Sequence, residues 1–328
     1  MNELKGTHHI TAITSSAEKI YHFFTYVLGL RLVKKTVNQD DINTYHLFFA
    51  DDVGSPGTDM TFFDFNGIQQ AEKGTDEIGR IGFRVQNDEA IAYWIKRFNK
   101  YQVQYQDKGT IFNKRVLYFE DFDGQEYALF SDELDQGVLP GKPWLKGPVP
   151  NEYAIIGLGP IFLRTRLFDK MDQLLTNLYK MRFVAKEGHQ YLYEMGQGGN
   201  GGSVIVEHLP DLPRGVQGYG AVHHVAFRIE DKAELDQWVD RYNQFGVRHS
   251  GYVNRFYFKS LYARAYPFML FELATEGPGF MSDDETYETL GETLALPPKL
   301  EPHRQQIEKV VRHIDTVRST QTFEKEMF

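Results

Sequence analysis

The chain has 328 residues, 41% of them hydrophobic and 14% aromatic, with a formal charge of −9 and no cysteine. That length suits two compact units, each able to bury a core, and the aromatic content describes a folded chain rather than a disordered one. The absence of basic runs excludes nucleic acid and anionic membranes as partners, and the absence of cysteine excludes disulfides and thiolate sites, so histidine and carboxylate remain as metal ligands.

The first predicted strand, THHITAIT, opens with a histidine doublet at His8 and His9. No basic-plus-apolar leader is visible and no apolar run approaches the roughly 20 residues of a membrane span, so a cytoplasmic protein is expected. Further along, Ile81–Gln104 matches Val225–Arg248 without gaps at an offset of 144. The pairs Phe83/Phe227, Arg84/Arg228, Trp94/Trp238, Arg97/Arg241, Asn99/Asn243 and Val103/Val247 are identical. Each segment begins as a strand of alternating apolar residues and continues as an amphipathic helix. A weaker match relates Gly6–Lys35 to Gly157–Lys186 at an offset of 151.

The chain therefore reads as four modules of one strand, one helix and three strands, near 6–66, 78–132, 155–209 and 221–275. Residues 1–132 hold modules one and two, and 153–275 hold modules three and four. Between them, 133–152 carries Pro140, Pro143, Pro148 and Pro150 and reads as a linker. The tail, 276–328, is expected to contain a polar helix near Glu301–Arg318 and to serve as packing or as a lid. The stretch GQGGNGGS, with no Lys-Ser/Thr helix behind it, reads as a hairpin turn rather than a phosphate loop.

Strand alternation assigns faces to the histidines. In AVHHVAFRI, His223 lies with Val225, Phe227 and Ile229, which should pack under the helix, and His224 points the other way. In the first strand the same reasoning selects His9, with Thr11 and Ile13. On the last predicted strand Glu272 faces away from Phe271 and Leu273. A carboxylate buried there costs several kcal/mol unless a cation meets it, by about the penalty of an unpaired buried charge. His9, His224 and Glu272 are thus the expected metal ligands, and their repeat partners, Pro160, Arg80 and Ala128, cannot bind metal.

A single metal site then requires modules one and four to share one cup and modules two and three the other. Two histidines and one carboxylate form the facial triad of non-haem Fe(II) oxygenases, with Mn(II) the near alternative. Zinc usually leaves only one open position and is less suited. His22, His46, His189, His249, His303 and His313 are read as surface or loop residues.

Two such modules curling into a cup resemble the vicinal oxygen chelate group, which includes glyoxalases, extradiol ring-cleaving dioxygenases and antibiotic-resistance binding proteins. The resemblance implies an α+β fold of four βαβββ modules in two curved, half-open barrels. THHIT, VHHVAFR and FELATEGPGF followed by an LPP…LEPHR tail are similar to the hydroquinone-type ring-cleaving dioxygenases. That likeness implies an Fe(II) enzyme acting on an aromatic diol and O2, in aromatic degradation or quinone detoxification, as a monomer or homo-oligomer.

Around the metal it implies His8, Thr11, His223, Arg255 and Tyr262. His223, or else His8, would be the base, and Arg255 would stabilise developing negative charge. Tyr262 faces Tyr118 in the repeat, so a structural role suits it as well as a catalytic one. Two rivals stand beside this reading. A glyoxalase-like metal isomerase or lyase would need a fourth protein ligand, and a non-catalytic aromatic-drug-binding protein would have no use for Glu272.

Overall fold

A computed structural model describes residues 3–283 and 285–328. Module one contains β1 (Thr7–Ile13), α1 (Ala17–His22), β2 (Arg31–Asn38), β3 (Asp41–Ala50) and β4 (Asp59–Phe63). Module two contains β5 (Glu77–Val85), α2 (Asp88–Tyr101), β6 (Tyr105–Ile111), β7 (Lys114–Glu120) and β8 (Glu126–Ser131). Module three contains β9 (Ile155–Thr165), α3 (Phe168–Gln173), β10 (Arg182–Glu187), β11 (Gln190–Glu194) and β12 (Ser203–His208). Module four contains β13 (Ala221–Ile229), α4 (Lys232–Gln244), β14 (His249–Asn254), β15 (Lys259–Tyr266) and β16 (Met269–Thr275).

The repeated strand–helix signal has a local cause. Asn87 and Asp231 cap α2 and α4, their side chains accepting from the backbone N–H of Ala90 and Glu234. The paired tryptophans Trp94 and Trp238 are fully buried on the inner faces of these helices. GQGGNGGS connects the antiparallel strands β11 and β12, as its reading as a hairpin turn expects.

Two eight-stranded sheets result, ordered β14-β15-β16-β13-β1-β4-β3-β2 and β10-β11-β12-β9-β5-β8-β7-β6. Each joins two modules through their first strands, β1 against β13 and β5 against β9, both antiparallel. The cups therefore pair module one with four and two with three. The fold is α+β, with the modular half-barrel architecture expected from the repeats. The connections between modules one and two and between three and four run side by side, bridged at Gln70/Tyr219, Glu72/Val216 and Thr75/Arg214.

The cup of modules two and three is filled. Arg164 donates to Glu207 at 3.1 Å, Glu77 at 3.0 Å and Glu126 at 2.6 Å, and Arg80 donates to Glu126 at 2.8 Å while lying 3.7 Å from the centre of the Tyr118 ring. Ala128, Phe130, Phe162 and Ile205 pack nearby as an apolar cluster. Truncating Arg164 to alanine takes the guanidinium from Glu77 and Glu207 and leaves Glu126 with Arg80 alone, and is expected to destabilise the protein by about 3–5 kcal/mol. Chemical denaturation measures this, and a change under 1 kcal/mol would refute a supporting role for the network.

The tail departs from expectation. Its helix, α5 (Arg304–Val310), stops well before Arg318, after a single 3-10 turn at Glu301–His303. Beyond it the chain is pulled out of helical geometry by buried anchors. The Arg318 guanidinium donates to the carbonyls of Leu32 and Leu290, and Glu292 accepts from the backbone N–H groups of Arg318 and Ser319. Further on, Glu326 accepts from Arg97 and Lys100. The tail is thus a strap across modules one and two. Among the described residues no helix is long and apolar enough to cross a membrane.

Candidate metal centre

The β1/β13 pair builds the site, and two irregularities in its register shape it. Thr7 pairs with Phe227 and His9 with Ala226, so His8 is an extra residue in β1. Thr11 pairs with His224 and Ala12 with Val222, so His223 is an extra residue in β13. Each bulge falls immediately before a candidate ligand, and a bulge turns its extra side chain away from strict alternation. This overturns the sequence reading of His223: it does not pack under the helix with Val225, Phe227 and Ile229 but lines the cup.

His9, His224 and Glu272 converge as expected. His9 Nε2 lies 3.3 Å from His224 Nε2, and Glu272 Oε2 lies 3.1 Å from the first and 3.0 Å from the second. All three side chains are buried, and Glu272 is 0% exposed with neither carboxylate oxygen accepting a hydrogen bond. Three acceptor atoms meeting with no proton between them call for a cation. Their spacing fits one face of an octahedron with bonds of about 2.1–2.2 Å, whose edges are about 3.1 Å. Burial lowers the His224 pKa despite the opposing pull of Glu272, keeping the ring in the neutral form that binds metal.

The neighbouring histidines set the ligand tautomers. His8 Nε2 donates to the Thr275 carbonyl at 3.1 Å, which leaves His8 Nδ1 as an acceptor. It lies 2.9 Å from His9 Nδ1, so His9 donates there and its Nε2 lone pair is left free toward His224 and Glu272, as a metal ligand would need. The arrangement repeats in β13, with His223 Nδ1 2.8 Å from His224 Nδ1. Burial and the neighbouring His9 hold the His8 pKa well below its usual value, and burial first, then His224, pushes that of His223 down to about 3.

The two doublets are not equivalent toward the cavity. His8 is 2% exposed and sealed behind His9, whereas His223 stands in the cavity wall. Thr11 is fully buried, its hydroxyl 3.0 Å from His224 Nε2 and 2.7 Å from that of Thr61, so it lies behind the ligand shell rather than in the cavity lining. His46, read from sequence as a surface or loop residue, lines the cavity, with Nε2 2.9 Å from Thr61 Oγ1. Its place on β3, two residues before Phe48 on the same face, was the available signal.

The cavity holds about 280 Å³, with walls of Phe48, Phe63, Tyr257 and Phe258. At its mouth the turn between β2 and β3 meets the turn between β14 and β15. Gln39 donates to the Arg255 carbonyl at 2.8 Å, and Arg255 donates to Asp40 at 2.9 Å and to the Tyr262 hydroxyl at 3.1 Å.

The twofold relation between modules one and four identifies one more position. His9 matches His224, and in the parallel pairs β1/β4 and β13/β16 Thr11 stands beside Thr61 as Ala226 stands beside Glu272. Thr61 is therefore the counterpart of Glu272. A fourth ligand would come from there, and the residue present is a threonine whose hydroxyl is engaged by Thr11 and His46.

Residues 6–129 match the glyoxalase/bleomycin resistance protein/dioxygenase superfamily. Over 317 residues, covering 95% of this chain and 99% of the relative, the sequence is 41% identical to MhqA of Bacillus subtilis, a protein assigned to the ring-cleaving dioxygenases. It is 30% identical to the chlorohydroquinone/hydroquinone 1,2-dioxygenase of Sphingobium indicum, over 91% of this chain and 93% of that one. A crystal structure of a Bacillus subtilis protein assigned as a dioxygenase superposes with a TM-score of 0.88 at 36% identity, covering 97% of this chain and 99% of that chain. Glyoxalase I from Zea mays shares the fold, with a TM-score of 0.59 at 12% identity over 83% of this chain and 92% of that one. The three-donor centre and the paired modules thus sit in a chain that belongs to the ring-cleaving dioxygenases of the glyoxalase/bleomycin resistance protein/dioxygenase superfamily.

Proposed function

We propose that this dioxygenase uses Fe(II), with Mn(II) the alternative, to open the ring of a hydroquinone beside a hydroxyl-bearing carbon. The observation that carries the reading is the set of three buried donors whose fourth symmetry-related position is Thr61. His9, His224 and Glu272 would hold the ion. When bound, Fe(II) lowers the pKa of a diol hydroxyl and brings diol and O2 together at its open positions.

The chain's own residues supply the rest. Phe48, Phe63 and Phe258 enclose the ring. His223 has Nδ1 committed to accepting from His224, so its Nε2 carries the ring's proton and is the donor that would hydrogen-bond to an oxygen of the diol or of O2 in the cup. His8 is the positioning residue that holds His9. Arg255, held by Asp40 and Tyr262, offers its guanidinium to negative charge that develops on oxygen. Tyr262 acts through Arg255, and Thr11 steadies His224. A catechol would place both oxygens near the metal, whereas the second hydroxyl of a hydroquinone points outward, toward the polar mouth at Asn38 and Gln39. Both atoms of O2 enter the product, as a carboxylate and a second carbonyl group.

Such an enzyme would work in the cytoplasm, in aromatic degradation or in removing hydroquinones before they oxidise to quinones. The test is anaerobic loading with Fe(II) followed by O2 uptake with hydroquinone, its methyl and chloro derivatives, and catechol. One Fe(II) per chain and stoichiometric uptake with the hydroquinones are expected, and no uptake with any diol would end the proposal.

The roles of the doublets separate in mutants. His8→Ala and His223→Ala should each weaken Fe(II) binding by about 10–100-fold, the usual effect of losing a group that orients a metal ligand. At saturating Fe(II), His8→Ala should recover most of its turnover and His223→Ala should not. Equal recovery of both would show that His223 makes no contact with the reacting oxygens that turnover needs. At the mouth, Asp40→Asn should raise KM for the diol several-fold with Fe(II) content unchanged, because Arg255 loses its charged anchor. An unchanged KM would show that Asp40 does not position Arg255.

A further inference from the structure

Behind His223 lies a second cavity of about 240 Å³. His223 is the one side chain, among the described residues, that lines both this cavity and the substrate cup. The wall between them is thin: Met269 faces the outer cavity while its neighbour Leu270 faces the cup. Val222 and Met269 give the outer cavity an apolar floor, and its rim carries Asp76, Glu77, Arg214 and Arg264.

Both carboxylates on this rim have cationic partners outside it. Asp76 is paired with Arg166 at 2.6 Å and accepts from the Tyr266 hydroxyl at 2.9 Å, and Glu77 is paired with Arg164 at 3.0 Å. Arg214 and Arg264 form no ion pair among the described residues. Arg214 is held flat, its guanidinium 4.2 Å from the centre of the Phe268 ring, on a loop tied down by hydrogen bonds between Thr75 and Pro213 and between Gly215 and Thr75. A side chain at Gly215 would collide with the Glu77 carboxylate, its Cβ falling 2.1 Å from Oε2, so the loop packs closely against the rim.

We infer that this cavity is a carboxylate-binding vestibule, in which Arg214 and Arg264 receive the acid end of the ring-opened product as it leaves past His223. The inference rests on the proposed ring cleavage, which turns a neutral diol into an anion. A neutral diol gains nothing from two unpaired guanidiniums, whereas a carboxylate gains charge-assisted hydrogen bonds. The apolar floor suits the carbon chain behind it. Substrate and product would then use different doors, the diol entering by the mouth at Asp40 and Arg255.

The probe is cis,cis-muconate, a six-carbon ring-opened dicarboxylate, tested on the Fe(II)-loaded enzyme. It should inhibit O2 uptake noncompetitively with respect to the diol, since the vestibule lies outside the cup. Arg214→Ala and Arg264→Ala should each raise the inhibition constant by at least fivefold, with Arg264→Lys intermediate. Inhibition competitive with the diol, inhibition unchanged in both alanine variants, or no inhibition would each overturn the vestibule. Calorimetric titration of the loaded protein with muconate separates this from the proposed reaction. If no diol supports O2 uptake but muconate still binds and loses affinity in the arginine variants, the reaction assignment has failed and the anion site stands.

Discussion

Replacing Glu272 with glutamine is expected to abolish Fe(II) binding and O2 uptake, while making the metal-free protein more stable than its metal-free parent. The carboxylate is 0% exposed and neither oxygen accepts a hydrogen bond. At pH 8.5, where burial keeps the His224 imidazole that faces it neutral, the ion-free parent carries a buried charge with no hydrogen bond to compensate it. Glutamine keeps the shape and removes the charge.

With Fe(II) in excess the order reverses. A ligand present at 1,000 times its dissociation constant stabilises the folded state by about 4 kcal/mol, which the variant forgoes. Calorimetry of both proteins, with chelator and with Fe(II) under anaerobic conditions, reads the two effects separately. A variant that melts below the parent in chelator would show that Glu272 already has a partner, and the case for a cation would lose its main support.

Much of this site was legible because the chain contains its own control. Comparison at fixed offsets shows histidine and glutamate in one pair of modules and Pro160, Arg80 and Ala128 in the other, and that asymmetry forces β1 and β13 into one sheet. The face of His224 also followed from alternation, since Ala226 and Arg228 share it. What failed was the rule at its local exceptions. A bulge changes which way one residue points without changing the residue pattern around it, so nothing in AVHHVAFRI distinguishes a regular His223 from an inserted one.

The same bulge at His8 left the choice between two candidate bases open until the cavity separated them. His46 was missed for another reason: its one signal, sharing a face of β3 with Phe48, does not by itself tell a cavity wall from a surface strand. The tail helix was overpredicted because polarity and helix propensity continue past Val310, while buried contacts around Arg318 and Glu292 decide the backbone there.

Thr61→Glu should convert the centre from a three-donor site to a four-donor one. Thr61 occupies on β4 the place that Glu272 occupies on β16, and its hydroxyl reaches Thr11 and His46 at 2.7 and 2.9 Å. A glutamate there would approach the same point from the opposite module and supply a fourth protein donor. Two consequences oppose each other in sign. Fe(II) should bind at least tenfold more tightly, because a second carboxylate adds charge to a buried site. O2 uptake should fall by at least about 100-fold, because the new side chain takes one of the three open positions and puts its bulk and negative charge in the cup where the deprotonated diol must bind.

Nitric oxide, which takes the O2 position on ferrous centres, gives a readout independent of turnover: the paramagnetic signal of its adduct should be altered in the variant, because the ligand set around the ion has changed. Thr61→Val is the control, since it removes the hydroxyl and adds no donor. It should keep Fe(II), the nitric oxide signal and turnover within about tenfold of the parent, the loss expected from one orienting hydrogen bond. If Thr61→Glu instead kept full O2 uptake and an unaltered nitric oxide signal, Thr61 would not be the vacant ligand position, and the twofold argument that separates this centre from a four-ligand isomerase would fail.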